Sequence, residues 1–326
     1  MIRKFAFVGM TAAASLMAGL PAQAETLRMI GSWAESNTMA YMPGARFKEN
    51  LEEQGIGLDV DIFGPETVPA FEQIDPVSAG VFDVIYTHPA YHDRAITNAT
   101  NGMKPDMELI RSSGVFDEMD SYLQENLNLK LLANVSVGTG GYHCYLREAL
   151  DEGGTWQGRR IRGISTYVPV IEALGGVAVN TPMGEVYSAL ERGVVDGACA
   201  PVSVFRGTRH FEVAQYRTEP TFGQLVSYIA MNLDTWNRLS EEQQQAVTEA
   251  SILTEQDSLR IGDEFIDDDL AWLEEQGVQV TAFGDEAYEQ VLDSYRDGLW
   301  NLVASCCGQD ESDLLREMAT DAGLIE

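Results

Sequence analysis

The chain of 326 residues carries 51 acidic and 21 basic side chains, a formal net charge of −30. A surface of that sign repels nucleic acid and anionic lipid, so neither is an expected partner, and any site for an anion has to be local and buried. The length suits two domains or one large one, and past residue 24 no apolar run reaches the ~18 residues that a membrane-spanning helix needs.

The first 24 residues read as an export signal. Arg3 and Lys4 precede an apolar stretch over 5–20, and Pro21-Ala22-Gln23-Ala24 places small residues three apart ahead of a cut after Ala24. This predicts a periplasmic protein with no lipid anchor, because no cysteine follows the cut. The strand and helix signals then alternate. Residues 26–30 read as a strand, 37–54 as a helix ended by Gly55, 58–63 as an alternating strand, 69–79 as a helix stopped by Gly80, and 82–87 as an apolar strand. Residues 93–113 are polar and poorly patterned. The alternation resumes with strands at 129–136, 142–146 and 160–164, the last followed by a helix that Gly175-Gly176 terminates. Thr181-Pro182 opens a further helix, with Thr181 as its N-cap, that ends near Arg192-Gly193, and a strand follows at 194–199. Ser240 caps a long helical stretch, 243–272, interrupted only by Gly262; a strand at 278–283 and a final helical region from Asp285 close the chain.

Strands alternating with helices predict an α/β fold with parallel sheets, whose ligands sit beyond the carboxyl ends of the strands. The loops at those ends are Ser32-Trp33, Gly64-Pro65-Glu66 and His88-Pro89-Ala90-Tyr91. A long helix after two α/β halves points to two lobes joined by a spanning helix.

Catalytic motifs are scarce. There is no phosphate loop, dinucleotide fingerprint or nucleophile elbow. His88 and His92 lie four apart, followed by Asp93, but Pro89 sits between them and no HExxH glutamate is present, so no metal site is predicted. Cys144, Cys199, Cys306 and Cys307 fit no zinc spacing; in an oxidising compartment they can pair, adjacent cysteines only with difficulty, and the connectivity stays open. Arg162 falls in an apolar strand, where a guanidinium needs a partner. That partner is either a ligand carboxylate, which its planar fork matches, or an internal acid, Glu185 or Asp196.

Residues 158–201 carry Arg160-Ile161-Arg162, Ala173-Leu174-Gly175, Pro182, Glu185-Val186-Tyr187-Ser188-Ala189-Leu190 and Val195-Asp196-Gly197. In order and spacing this stretch resembles the signature of the DctP-type solute-binding subunits of tripartite ATP-independent periplasmic (TRAP) transporters. Val68-Pro69-Ala70-Phe71-Glu72, Phe211-Glu212-Val213 and Trp236-Asn237-Arg238-Leu239-Ser240 resemble further landmarks of that family. The resemblance implies a two-lobed periplasmic binding protein fold with hinge strands and a long spanning helix: one lobe from 25–139 with 228–267, the other from 140–227 with 268–326. It also implies closure around the ligand, docking on membrane permease subunits, no cofactor, no catalysis, and Arg162 as the clamp on a substrate carboxylate. The chain departs from the pattern at Ala198-Cys199-Ala200-Pro201, where a ligand-touching Asn is missing, at Met183 in place of an aromatic, and at Tyr142 or His143 in place of a second basic residue. These departures favour a small organic acid (a monocarboxylate, hydroxy, keto or aromatic acid) held by one clamp between aromatic walls. The candidate contacts are Arg162, Trp33, His88, Tyr91, Tyr142, His143, Met183, Phe205, Phe71 and Ser165, with Tyr167 among the aromatics at the mouth and Glu66 to accept a hydroxyl or amine. Three other functions compete: a binder of a zwitterionic osmolyte such as ectoine, a secreted metal-dependent hydrolase using His88, His92 and Asp93, and a ligand-sensing subunit of a receptor.

Overall fold

The structure, a computed structural model, describes residues 25–92 and 95–325; the signal at 1–24 and Asp93 lie outside the described residues. Two sheets organise the chain. The first is built from β1 (Glu25–Gly31), β2 (Leu58–Phe63), β3 (Val84–Thr87), β4 (Leu129–Ser136) and β10 (Val226–Asn232), in the order β2-β1-β3-β10-β4. The second is built from β5 (His143–Leu146), β6 (Arg160–Gly163), β7 (Val177–Asn180), β8 (Gly197–Ala200), β9 (Tyr216–Glu219) and β11 (Gln279–Ala282), in the order β11-β9-β5-β8-β6-β7. Strands β1, β2 and β3 run parallel, as the alternation requires, with α1 (Thr38–Glu52) and α2 (Ile74–Ser78) as their crossovers. In the second sheet β6 pairs parallel with both β7 and β8, through the crossovers α5 (Val168–Ala173) and α6 (Met183–Glu191). This puts the loops after β1, β3, β6 and β8 at the same edge of their sheets as the cleft between them.

Several elements differ from the sequence reading. The helix expected over 69–79 is a 3-10 turn, Ala70–Glu72, followed by α2. The break falls at Gln73, which is fully buried and turned inward to donate to the carbonyls of Gly31 and Val68. Thr181 does not cap α6; the helix starts at Met183, after Pro182 in extended conformation. The polar stretch before 113 holds a 3-10 run, Ile96–Gly102, and α3 (Met107–Ser112), with α4 (Val115–Leu127) after it. Its polar residues hid the pattern because they are buried as backbone substitutes: the Asn101 side chain both donates to the Val226 carbonyl and accepts from its N–H. β10, buried at every residue and antiparallel to β3 and β4, had no counterpart in the reading.

The long helix is α9 (Glu241–Glu275), opened by a reciprocal capping box between Ser240 and Gln243. Its 35 residues span about 52 Å. Its first half packs on α1 and β4, with Asn50 donating to Thr254 at 3.1 Å. Its second half packs on α7 (Val202–Gly207), with Arg206 on Asp269 at 2.6 Å. Two segments cross between the sheets, 137–142 and 220–225, and pair where Tyr142 meets Phe222. The first crosses α9 at Gly262, where a Cβ would overlap the Val137 carbonyl and the Gly138 amide. Thr139 anchors the crossing through two hydrogen bonds to Asp263, 2.7 and 2.9 Å.

After β11 come α10 (Asp285–Cys307) and α11 (Gln309–Asp321). Trp300, Val303, Leu315, Ala319 and Leu324 pack in the core beneath the first sheet, with Ile30, Ile85 and Val226. The chain therefore ends in the first lobe, whereas the expected boundary put all of 268–326 in the second. Cys144 and Cys199 face each other in register across β5 and β8 and are bonded, and Cys306 is bonded to Cys307.

Candidate functional site

β6 is short because its hydrogen-bonded run ends at Gly163, and the chain then turns into α5 through residues 164–167. Arg162 is the last side chain the strand carries, and it points between the lobes from a backbone fixed on both sides by β7 and β8. It is 1% exposed. Its Nε donates to the Thr181 carbonyl at 2.8 Å and its Nη1 to the Tyr167 hydroxyl at 2.6 Å. Nη2 is buried and, among the described residues, has no acceptor in hydrogen-bond geometry. Neither internal acid supplies one: Asp196 pairs with Arg160 at 3.0 Å, and Glu185 is exposed on α6. The internal ion pair that the sequence left open is thus not formed. The phenol oxygens of Tyr167 and Tyr91 face the guanidinium and favour its charged form against the burial that opposes it.

Two further buried polar atoms lack partners beside it. His88 accepts the Ala90 N–H on Nδ1 at 3.1 Å, which leaves the proton of the neutral ring on Nε2. Nε2 has no partner within hydrogen-bond geometry, although the Asn101 side chain is near enough to favour the charged ring slightly. The Tyr142 hydroxyl is also without a partner among the described residues. Together with Trp33, Tyr91, Tyr167, Met183 and Cys199 these groups line one cavity between the lobes. Its volume is about 20 Å³, room for about one water. Trp33, His88 and Tyr91 follow strands of the first sheet; Arg162, Tyr167 and Met183 belong to elements of the second, and Tyr142 ends a segment that crosses between them. Among the described residues the lining contains no Asp, Glu or Lys and no second Arg.

The other expected contacts stand elsewhere. Phe71 is one layer back, edge-on to Tyr91 at 4.8 Å. His143 bonds the Thr218 carbonyl inside the second sheet, and Phe205 stacks on Tyr145 in that lobe's core. Glu66 is exposed and accepts the N–H of Gly64 in its own loop. Ser165 donates across the cleft to the Ala90 carbonyl at 3.1 Å, so it joins the lobes rather than lining the cavity. Ile164, Val204 and Leu225 line it without having been singled out; they are apolar residues in apolar runs and give no signal in the sequence. Among the described residues no group of three metal-binding side chains forms, and His92 is held by Thr87 at 3.0 Å.

Burial holds the histidines neutral. It lowers His88 to about 3, His92 to about 4 and His210 to about 3, with Arg162 adding to the effect at His88 and His210. Each folded value lies below the ordinary value of 6.5, so the unfolded chain takes up protons first as the pH falls. The stability these rings confer is complete above pH 6.5 and is lost as the pH falls towards 3–4. The expected loss is on the order of 3 kcal/mol per histidine at the acid end. Urea unfolding of the protein and of His92→Asn between pH 7 and about 4 checks this. The variant's stability should fall less steeply, and parallel slopes would refute the assignment.

A family model described as bacterial extracellular solute-binding protein, family 7, matches residues 106–297. The ectoine/5-hydroxyectoine-binding periplasmic protein UehA of Ruegeria pomeroyi is 24% identical over 302 residues, covering 86% of this chain and 86% of its own. Two solved structures share the fold. One is a TRAP periplasmic solute-binding protein from Roseobacter denitrificans with bound L-galactonate, at TM-score 0.73, 18% identity, and 91% and 99% coverage of the two chains. The other is the Bordetella pertussis receptor DctP7 binding pyroglutamic acid, at TM-score 0.76, 14% identity, and 91% and 100% coverage.

Proposed function

This chain belongs to the family-7 bacterial extracellular solute-binding proteins, the periplasmic ligand-binding proteins of TRAP transporters, and from that premise we propose that it captures a small organic acid through a single carboxylate and delivers it to membrane permease subunits. The observation that carries the reading is Arg162: a guanidinium out of reach of solvent, with one amino group that, among the described residues, finds no acceptor in hydrogen-bond geometry. A buried, unpaired cation is costly, and a carboxylate removes the cost while accepting two aligned hydrogen bonds. His88 Nε2 and the Tyr142 hydroxyl stand beside it as neutral donors. With no second cation in the described lining, a dicarboxylate would keep one charge uncompensated. With no acid there, the cationic part of a zwitterion such as ectoine would have only the ring faces of Trp33, Tyr91 and Tyr142, in the field of Arg162. A cavity of about 20 Å³ admits an acid only when the lobes part, so capture proceeds by opening and re-closing, and the ligand shifts the balance by its preference for the closed form.

Thermal unfolding in the presence of butanoate, lactate, benzoate, succinate and ectoine tests this. A monocarboxylate at a hundred times its dissociation constant should stabilise the protein by about 2.7 kcal/mol. Stabilisation by ectoine or succinate exceeding that by every monocarboxylate would overturn the reading.

A further inference from the structure

One pair of cysteines stands far from the ligand site. Cys306 and Cys307 are bonded to each other in the last turn of α10, and Gly308 then turns the chain into α11. Both are half-buried, and Ser305, Gly308, Gln309 and Asp310 around them are exposed, so the bridge lies at the protein surface. The other bridge is enclosed. Cys144 and Cys199 are each 0% exposed and face each other across two interior strands of the second sheet.

Folding also treats the two bridges differently. Cys144 and Cys199 are 55 residues apart. Closing a loop of that size removes much of the freedom of the unfolded chain, so the bond stabilises the folded state. By linkage the folded state stabilises the bond to the same extent. Adjacent cysteines close no such loop, so their bond restrains the unfolded chain little and gains little from folding. Other contacts hold the corner in its place. The Tyr122 hydroxyl donates to the Cys306 carbonyl at 3.4 Å, and the Ser312 hydroxyl donates to the Trp300 carbonyl at 3.0 Å. Leu315 and Ala319, both fully buried, dock α11 beneath the first sheet. The corner therefore keeps its shape when the bridge opens.

We propose that the Cys306–Cys307 bridge is a reversible redox modification site, opened by thiol reductants while Cys144–Cys199 stays closed. An external thiolate attacks one sulfur of the bridge, and the other leaves as a thiolate and takes up a proton. A second external thiol then displaces the first as a disulfide. The pair gains two electrons and two protons, and two reductant thiols become one disulfide.

Equilibration of the folded protein with graded mixtures of reduced and oxidised glutathione tests this, with acid quenching, alkylation and peptide mass analysis to locate the thiols. Half-reduction of Cys306–Cys307 should need a mixture about a hundredfold or more less reducing than half-reduction of Cys144–Cys199. Transfer to oxidised glutathione should close the bridge again. The double variant Cys306→Ser/Cys307→Ser should release no thiol in the mild mixture and melt within about 2 °C of the parent. Equal midpoints for the two bridges, earlier reduction of Cys144–Cys199, or thiols at 306 and 307 that do not close again would overturn the proposal. A double variant that melts far below the parent would also overturn it, by showing that the bridge is structural.

Discussion

Arg162→Met is expected to abolish carboxylate binding while leaving the ligand-free protein at least as stable as before. Methionine is shorter than arginine but of comparable bulk, so little volume is vacated. The two hydrogen bonds lost, to Thr181 and Tyr167, are set against removal of a buried cation that no described carboxylate pairs with. Replacing buried charge by an apolar side chain of similar volume is often neutral or stabilising. Binding loses two charge-assisted hydrogen bonds of about 1.5–3 kcal/mol each, a weakening of about a hundredfold or more. Arg162→Lys keeps the charge but loses the planar fork, and should weaken binding by about tenfold. Melting curves with and without ligand separate these effects. If Arg162→Met binds acids normally, or melts far below the parent without ligand, the arginine is structural and the clamp lies elsewhere.

Arg111→Met should cost about 3–5 kcal/mol of folding stability, a loss of opposite character to that at Arg162, because here a protein partner is left behind. Glu255 on α9 is 2% exposed; it accepts Arg111 at 2.7 and 2.9 Å and the Asn134 N–H at 2.8 Å. Arg111 also donates to the Leu132 carbonyl, so the pair pins α3, α9 and β4 together. Burial pushes the Glu255 carboxyl up to about 7 despite the attraction of Arg111. A carboxyl with a folded value above its ordinary 4.5 favours the folded state in its protonated form, so its contribution to stability falls as the pH rises from 4.5 through 7. Without Arg111 the value rises further, so the deficit of the variant should be small at pH 5 and should grow as the pH rises through 7 and beyond. Adding Glu255→Gln should recover much of the loss. Urea denaturation of the single and double variants decides the matter: a deficit that does not grow with pH, or a double variant no better than Arg111→Met, would refute the account.

Much of this architecture is legible in the sequence where period and punctuation agree. Ser240 predicts the start of α9 within two residues, and the apolar alternation of β2 predicts that strand, because caps and strand alternation are local. β10 is less legible because a strand buried on both faces has no alternation, and the stretch before α3 because its asparagines replace backbone partners inside the fold. At the site, Arg162 stands out because a charge inside an apolar strand conflicts with its surroundings. Whether Asp196 or a ligand answers that charge depends on the position of Arg160 beside it, which spacing does not encode. Phe205 and Trp33 look alike as aromatic residues near strand ends, yet one stacks inside the second lobe and the other walls the cleft; the difference lies in helix packing.

The contact between Gly262 and Gly138 has a consequence for inheritance. Each glycine occupies the space that a side chain on the other's neighbourhood would need, since a Cβ at either one runs into the backbone of the opposite segment, and Gly138 also holds a φ of 102°. A library that varies these positions singly would score both as intolerant. A descendant could lose Gly262 only if the crossing segment moved off the helix in the same step. The two positions therefore form one inherited unit, fixed by the thickness of two backbones rather than by the chemistry of any ligand, and they should persist among descendants whose cavities have diverged beyond recognition.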